Sequence, residues 1–171
     1  RVLAWRWRIA ILLCLITTVN YIDRQALTIA APYLMEEFAI DAEGYGFITF
    51  GFLLAYGFGQ LLCGPVIDRF GTKRSFAIAV IAWSVAGILH AFGRGVASFF
   101  SFRVLLGLTE AANFPAATKA VAEWFPPSER SLAVGIFSMG PGVGAIIAPP
   151  FIALIIMYLG WQAAFIISGS I

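Results

Sequence analysis

Long apolar stretches alternate with short polar connectors along the whole chain. The complete stretches cover residues 9–31, 45–67, 75–92, 96–123 and 131–157, and a sixth begins near residue 161 and continues to residue 171. Each complete stretch has about 18 residues or more, which is the length that an α-helix needs to cross the hydrocarbon core of a bilayer. The pattern therefore predicts an all-α integral membrane bundle over residues 1–171, with five complete spans and the start of a sixth.

Composition separates this chain from soluble proteins. Hydrophobic residues make up 61% of the 171 residues and charged residues 12%, whereas an average globular chain has about 45–50% and 25%. No block of like charges suggests a nucleic-acid partner. No nucleophile arrangement, metal cluster or cofactor loop is present in the pattern, so we expect no enzyme, no catalytic residue, no metal and no cofactor.

Basic residues outside the predicted spans lie almost entirely on one side of the membrane. If the N-terminus is cytoplasmic, the cytoplasmic side carries Arg1, Arg6, Arg8, Arg69, Lys73, Arg74 and Arg130. The outer side then carries only Arg94. Because Lys and Arg accumulate in cytoplasmic loops, the sequence predicts a multi-pass protein of the cell membrane with its N-terminus in the cytoplasm.

Four ionisable side chains lie inside the predicted spans. They are Asp23 and Arg24 in the first span and Arg103 and Glu110 in the fourth. An isolated charge at the bilayer centre costs at least about 2.5–3.5 kcal/mol, so we expect these groups to face protein or water. Two guanidinium groups and two carboxylates in one wet pocket would form an anion site with proton acceptors beside it. The alternative is that the charges only pair to hold the bundle together.

Helical geometry assigns these residues to faces. In the first span Asn20, Tyr21, Arg24 and Thr28 form a polar stripe, and Asp23 lies about 100° away from Arg24. We therefore expect Arg24 to be the better substrate contact and Asp23 to face a neighbouring helix or the edge of the cavity.

The fourth span carries both of its charges on one face. Arg103, Gly107, Glu110 and Phe114 share a narrow stripe, with Arg103 and Glu110 about 10 Å apart along the axis. Because its stripe includes Arg103, Glu110 is the favoured proton-coupling residue.

The connector after the second span reads Gly64-Pro-Val-Ile-Asp68-Arg69-Phe-Gly71-Thr-Lys73-Arg74. It resembles the loop signature of the major facilitator superfamily. Gly71 permits a tight turn, and Asp68 can accept from a helix N-terminus or a cation and so hold one conformation. The resemblance implies a conformational latch made of Asp68, Arg69, Gly71, Glu129 and Arg130.

Further segments resemble the anion:cation symporter branch of that family. They are Asn20-Tyr21-Ile-Asp23-Arg24, residues 103–115, Glu123-Trp124-Phe125-Pro126 and Glu129-Arg130. Ser131 and Gly160-Trp161-Gln162 are similar to hexuronate transporters. The resemblance implies twelve helices in two halves around a central substrate site. Because the chain starts at Arg1 and ends inside a helix, we expect a fragment that is the N-terminal half, cut off in helix 6 and lacking the C-terminal half.

These features lead to the hypothesis of a proton-coupled symporter for a sugar acid such as glucuronate or galacturonate. Arg24 or Arg103 would hold the carboxylate. Hydrogen bonds to the substrate hydroxyls, or to the guanidinium to orient it, would come from Tyr21, Asn20 and Tyr56. The resemblance implies proton coupling at Glu110 and Asp23. The expected partners are the sugar acid, protons, the lipid bilayer and the missing half. The alternatives are another carboxylate such as galactonate or glucarate, an organophosphate exchanger, and a non-transporting membrane scaffold.

Overall fold

The computed structural model describes residues 2–171, with side chains from Trp5 onwards; Arg1, one of the basic residues that the sequence assigns to the cytoplasm, lies outside the described residues. Eight α-helices follow one another: α1 Val2–Glu37, α2 Ala42–Phe70, α3 Thr72–Leu89, α4 Val96–Glu110, α5 Asn113–Trp124, α6 Pro127–Ser138, α7 Gly140–Leu159 and α8 Trp161–Gly169. A 3₁₀ turn, His90–Phe92, follows α3, and residues 2–171 contain no strand. The predicted all-α architecture is confirmed.

Two of the predicted spans are each divided into two helices. The sequence predicts one helix over residues 96–123, but the helix breaks at Ala111 and Ala112, between α4 and α5. Pro115 explains the break, because a proline has no N–H for the carbonyl of Ala111 and its ring clashes with that carbonyl. The stretch 131–157 breaks in the same way at Met139, two residues before Pro141.

The break in the fourth span moves Phe114 out of the predicted stripe. Phe114 is 48% exposed, and its ring makes an edge contact with Phe137, with centroids 5.3 Å apart. The stripe of Arg103, Gly107 and Glu110 is thus limited to α4, and all three residues are buried.

Four helical segments are long and apolar enough to cross a membrane. They are Trp5–Glu37, Ala42–Phe70, Thr72–Phe92 and Pro127–Leu159. The fourth predicted span is not among them. Its two helices are too short, since the break leaves α4 with 15 residues and α5 with 12, and the span also carries the charged residues Arg103 and Glu110.

Small residues bring the helices together in pairs. On α2, a Cβ at Gly51 would meet the ring of Phe100 at 2.6 Å, and one at Gly59 would meet the Cβ of Ala111 at 2.6 Å. On α7, a Cβ at Gly140 would meet the carbonyl oxygen of Cys14 at 2.8 Å. Such contacts are typical of close helix packing in lipid. They hold α2 against α4 and α7 against α1.

Candidate functional site

An ion pair joins α1 to α4 in the middle of the bundle. Nη2 of Arg24 lies 3.0 Å from Oε2 of Glu110, and Nε of Arg24 lies 3.2 Å from the same oxygen. The Glu110 side chain is fully buried, whereas 30% of the Arg24 side chain is exposed. Glu110 therefore pairs with Arg24 and not with Arg103 of its own stripe. Arg103 and Glu110 are seven positions apart, about 10 Å along the helix, and the Arg24 side chain reaches Glu110 from α1.

Arg103 is the second guanidinium of the site, and it has spare hydrogen-bonding capacity. It is 4% exposed, and its Nη2 donates to the main-chain oxygen of Arg24 at 3.3 Å. Among the described residues no Asp or Glu oxygen lies within 4.0 Å of it, and its Nε has no hydrogen-bond partner. A buried cation without a counter-ion attracts an anionic ligand.

Aromatic rings of α2 support both guanidinium groups. The Phe52 ring centroid lies 4.9 Å from Cζ of Arg24 and 5.4 Å from Cζ of Arg103, and the Tyr56 ring lies 4.7 Å from Cζ of Arg24. Each such cation–π contact is worth roughly 0.5–2 kcal/mol, most when it is desolvated. Sequence reasoning missed Phe52, because an apolar residue in a membrane span carries no signal of its own.

Asp23 forms no ion pair with either arginine. It is 3% exposed, and neither carboxylate oxygen has a hydrogen-bond partner in the described residues. The hydroxyl of Ser168, from α8, lies beside it. Asn20, one turn earlier on α1, is also buried, and its Nδ2 has no partner. Asp23 thus faces a neighbouring helix, and an ionised carboxylate there would be a buried charge without a counter-ion.

A cavity of about 210 Å³ opens beside the two arginines, between α1 and α2. Of the predicted substrate contacts, Tyr21, Arg24 and Arg103 line it. Tyr56 touches Arg24 but is absent from the wall, as is the buried Asn20. The wall also contains residues that the sequence analysis did not single out: Gln25, Tyr45, Thr49 and Phe52. The spacing 45, 49 and 52 on α2 could have identified them as one face.

At the opposite end of α2, polar contacts join the helix ends. Oδ1 of Asp68 lies 2.5 Å from Nζ of Lys119 on α5, although 74% of the Asp68 side chain is exposed. Gly71, with φ +82°, connects α2 to α3. Thr72 donates to Glu123 at 2.6 Å. Arg69 lies on the surface over the ring of Phe70, with 5.8 Å from Cζ to the centroid.

Glu129 and Arg130 hold the same end of the bundle from α6. Oε1 of Glu129 accepts from Nη2 of Arg6 at 2.8 Å, which ties α6 to α1. Arg130 donates to the main-chain oxygens of Phe125 and Ala122 at 3.0 and 2.8 Å. These bonds satisfy carbonyl groups at the C-terminal end of α5, which have no partner within the helix.

Comparison with known proteins gives a consistent result. Residues 13–171 match the family model described as Major Facilitator Superfamily. The hexuronate transporter of Escherichia coli strain K12 is 40% identical over 166 residues, which are 97% of this chain and 38% of that protein. The galacturonate transporter of Dickeya chrysanthemi is 36% identical over 97% of this chain and 48% of its own length.

A solved structure supports the same fold. A bacterial homolog of the human lysosomal transporter Spinster, in an inward-facing and occupied conformation, superimposes with a TM-score of 0.85 at 26% identity. The match covers 96% of this chain and 41% of that one. The chain therefore spans between about two fifths and one half of the length of these relatives.

Proposed function

Because this chain belongs to the Major Facilitator Superfamily, we propose that the full-length protein carries a sugar acid across the cell membrane by alternating access, together with a proton. The family assignment confirms the predicted fold of a multi-pass membrane transporter and the prediction that the chain is no enzyme. Relatives named as hexuronate, galacturonate and D-galactonate transporters support a sugar-acid substrate. We also propose that the N-terminus is cytoplasmic, as the distribution of basic residues predicts.

The observation that carries the proposal is the arrangement of one paired and one unpaired guanidinium beside the cavity. Arg24 is held by Glu110, while Arg103, on the same aromatic ring, has no carboxylate partner in the described residues. A substrate carboxylate can bind Arg103 at once, but it has to compete with Glu110 for Arg24. A proton on Glu110 removes that competition, and the anion can then bridge both arginines bidentately.

Charge balance explains why proton and anion would move together. With Asp23 and Glu110 ionised, the formal charges of these carboxylates and of Arg24 and Arg103 sum to zero, although only Arg24 and Glu110 form an ion pair. The proton forms an O–H bond on Glu110, and the incoming monoanion supplies the negative charge that Glu110 loses. The loaded site is thus as neutral as the empty one, and the carrier can change conformation without exposing an uncompensated charge.

Asp23 is the second proposed proton site, although it is not part of the ion pair. It contacts neither guanidinium within 4.0 Å, so a proton on Asp23 would cancel a buried charge without releasing an arginine.

At the cytoplasmic end, we propose that Asp68, Arg69, Gly71, Glu129 and Arg130 form a latch. The contacts of Asp68 with Lys119 and of Glu129 with Arg6 support this role, because they tie helix ends of this half to one another at that end of the bundle.

The decisive experiment replaces Glu110 by Gln in the full-length protein reconstituted in vesicles. The amide cannot take up a proton, so we expect exchange of labelled against unlabelled glucuronate to continue while accumulation driven by a pH gradient is lost. Glu43→Gln, in the exposed first turn of α2, is the matched control and should accumulate substrate normally. Accumulation by Glu110→Gln equal to that of the wild type would remove Glu110 from proton coupling.

Two additions test the substrate and the anion site. Vesicles without internal anion distinguish symport from exchange, because an organophosphate exchanger would take up nothing. Arg24→Lys should nearly abolish uptake, since an ammonium group cannot reproduce the planar fork that pairs with both Glu110 and a carboxylate. Normal uptake by Arg24→Lys would overturn bidentate binding at this residue.

A further inference from the structure

One side of the cavity beside the arginines is formed by uncharged polar residues. They are Gln25 and Thr28 of α1 and Tyr45 and Thr49 of α2. All four carry neutral groups that can both donate and accept hydrogen bonds. This neutral wall differs in character from the charged part of the cavity, so the two parts suit different portions of a ligand.

The neutral wall lies on the side of the arginines that is nearer to the loop between α1 and α2. On α2, Thr49 lies about 4.5 Å and Tyr45 about 10.5 Å from Phe52 along the axis. On α1, Gln25 and Thr28 follow Arg24 in the direction of the helix end at Glu37. A six-carbon acid whose carboxylate lies on the guanidinium groups over Phe52 would extend its carbon chain along this wall.

Hydrogen bonds inside the protein use little of the capacity of the neutral wall. The Gln25 amide donates only a long bond, 3.4 Å, to the Tyr21 hydroxyl. The Thr49 hydroxyl donates to the main-chain oxygen of Tyr45 at 3.0 Å, so its lone pairs stay free to accept. These groups can therefore bind the hydroxyl groups of a ligand without breaking a strong internal bond.

We propose that the neutral wall is a hydroxyl-binding subsite, which selects polyhydroxylated monocarboxylates over carboxylates of the same size that lack hydroxyl groups. The inference rests on the proposed function, since it assumes that the arginines hold the carboxylate. Arg103 is the first anchor, because Arg24 is occupied by Glu110 until a proton arrives. Thr49 and Tyr45 then bind hydroxyl groups of the ligand beside the bound carboxylate.

The test compares two inhibitors of labelled glucuronate uptake into vesicles that contain the full-length protein. Glucuronate and cyclohexanecarboxylate both place a carboxylate on a six-membered ring, but only glucuronate has hydroxyl groups on the ring. Thr49→Val and Tyr45→Phe each remove one hydroxyl at nearly constant shape. We expect each variant to raise the half-inhibitory concentration of glucuronate about threefold to tenfold, the effect of one neutral hydrogen bond, and to leave that of cyclohexanecarboxylate unchanged.

Matched controls separate hydrogen bonding from packing. Thr109 on α4 also donates to the carbonyl four residues earlier, at 2.9 Å, but it faces a different cavity. Thr109→Val should therefore inhibit like the wild type with both compounds. Thr49→Ser, which keeps the hydroxyl, should preserve the affinity for glucuronate.

Each outcome has a definite meaning. Equal weakening of both inhibitors, a loss in Thr49→Ser as large as in Thr49→Val, or unchanged glucuronate affinity in both Thr49→Val and Tyr45→Phe would overturn the subsite while leaving the proposed transport intact. A wild-type protein that takes up no sugar acid would overturn the proposed function instead, and the subsite with it.

Discussion

Gly107 sets the distance between the helix that carries Arg103 and Glu110 and the helix that carries Phe52. It lies between the two charged residues on α4, and a Cβ built on it would be 2.6 Å from the main-chain oxygen of Phe52 and 3.1 Å from the nitrogen of Tyr56. Both atoms belong to the backbone of α2, so no side-chain rotation can relieve the clash. Since ordinary contact starts at 3.4 Å, Gly107→Ala has to move α2 away by about 0.8 Å.

The cost of this movement follows from the close packing of the two helices. Overpacking of this kind typically destabilises a protein by about 1–3 kcal/mol. Replacing glycine by alanine also stabilises a helix by about 1 kcal/mol, which partly offsets the cost of the clash. Gly57→Ala on α2 is the appropriate control, because a Cβ there meets nothing within 4 Å. The helix preference is common to both variants, so the difference between their stabilities measures the clash itself.

Thermal unfolding of the purified full-length variants in detergent gives that difference. We expect Gly107→Ala to unfold at a clearly lower temperature than Gly57→Ala. Uptake of glucuronate should fall as well, because moving α2 withdraws Phe52 and Tyr56 from the guanidinium groups. Equal melting temperatures and equal uptake in the two variants would refute the reasoning that Gly107 holds the site together.

Two further predictions concern individual contacts. Phe52→Leu removes the ring under both arginines, so we expect the KM for glucuronate to rise several-fold, whereas Phe52→Tyr should keep a KM close to that of the wild type. Equal KM values for Leu and Phe at this position would contradict the cation–π support. Lys119→Ala should change the unfolding free energy by less than about 1 kcal/mol, because its partner Asp68 is 74% exposed. The same substitution should alter the rate of transport if the pair acts as a latch. A large loss of stability would show that the pair is structural instead.

The sequence by itself determined the class of protein and the positions at which charge enters the membrane. Apolar stretches long enough to cross a bilayer are sufficient to predict helices, because every backbone group in lipid has to be satisfied within its own segment. Charges inside such stretches are costly, so the sequence alone identifies Asp23, Arg24, Arg103 and Glu110 as candidate functional residues. The connector around Asp68 and Gly71 indicated the family, which the comparisons then confirmed.

Only the tertiary structure decided which of these groups meet. Helical periodicity assigns a residue to a face of its own helix, but the partner depends on the rotation and height of the neighbouring helix. Gly107 against α2 and Gly144 against the main chain of α1 at Thr18 set those heights. As a result Glu110 pairs with Arg24, and Arg103 keeps no carboxylate partner within the described residues. The same packing places the Phe52 ring against both guanidinium groups. A local pattern of apolar residues could not have indicated that position.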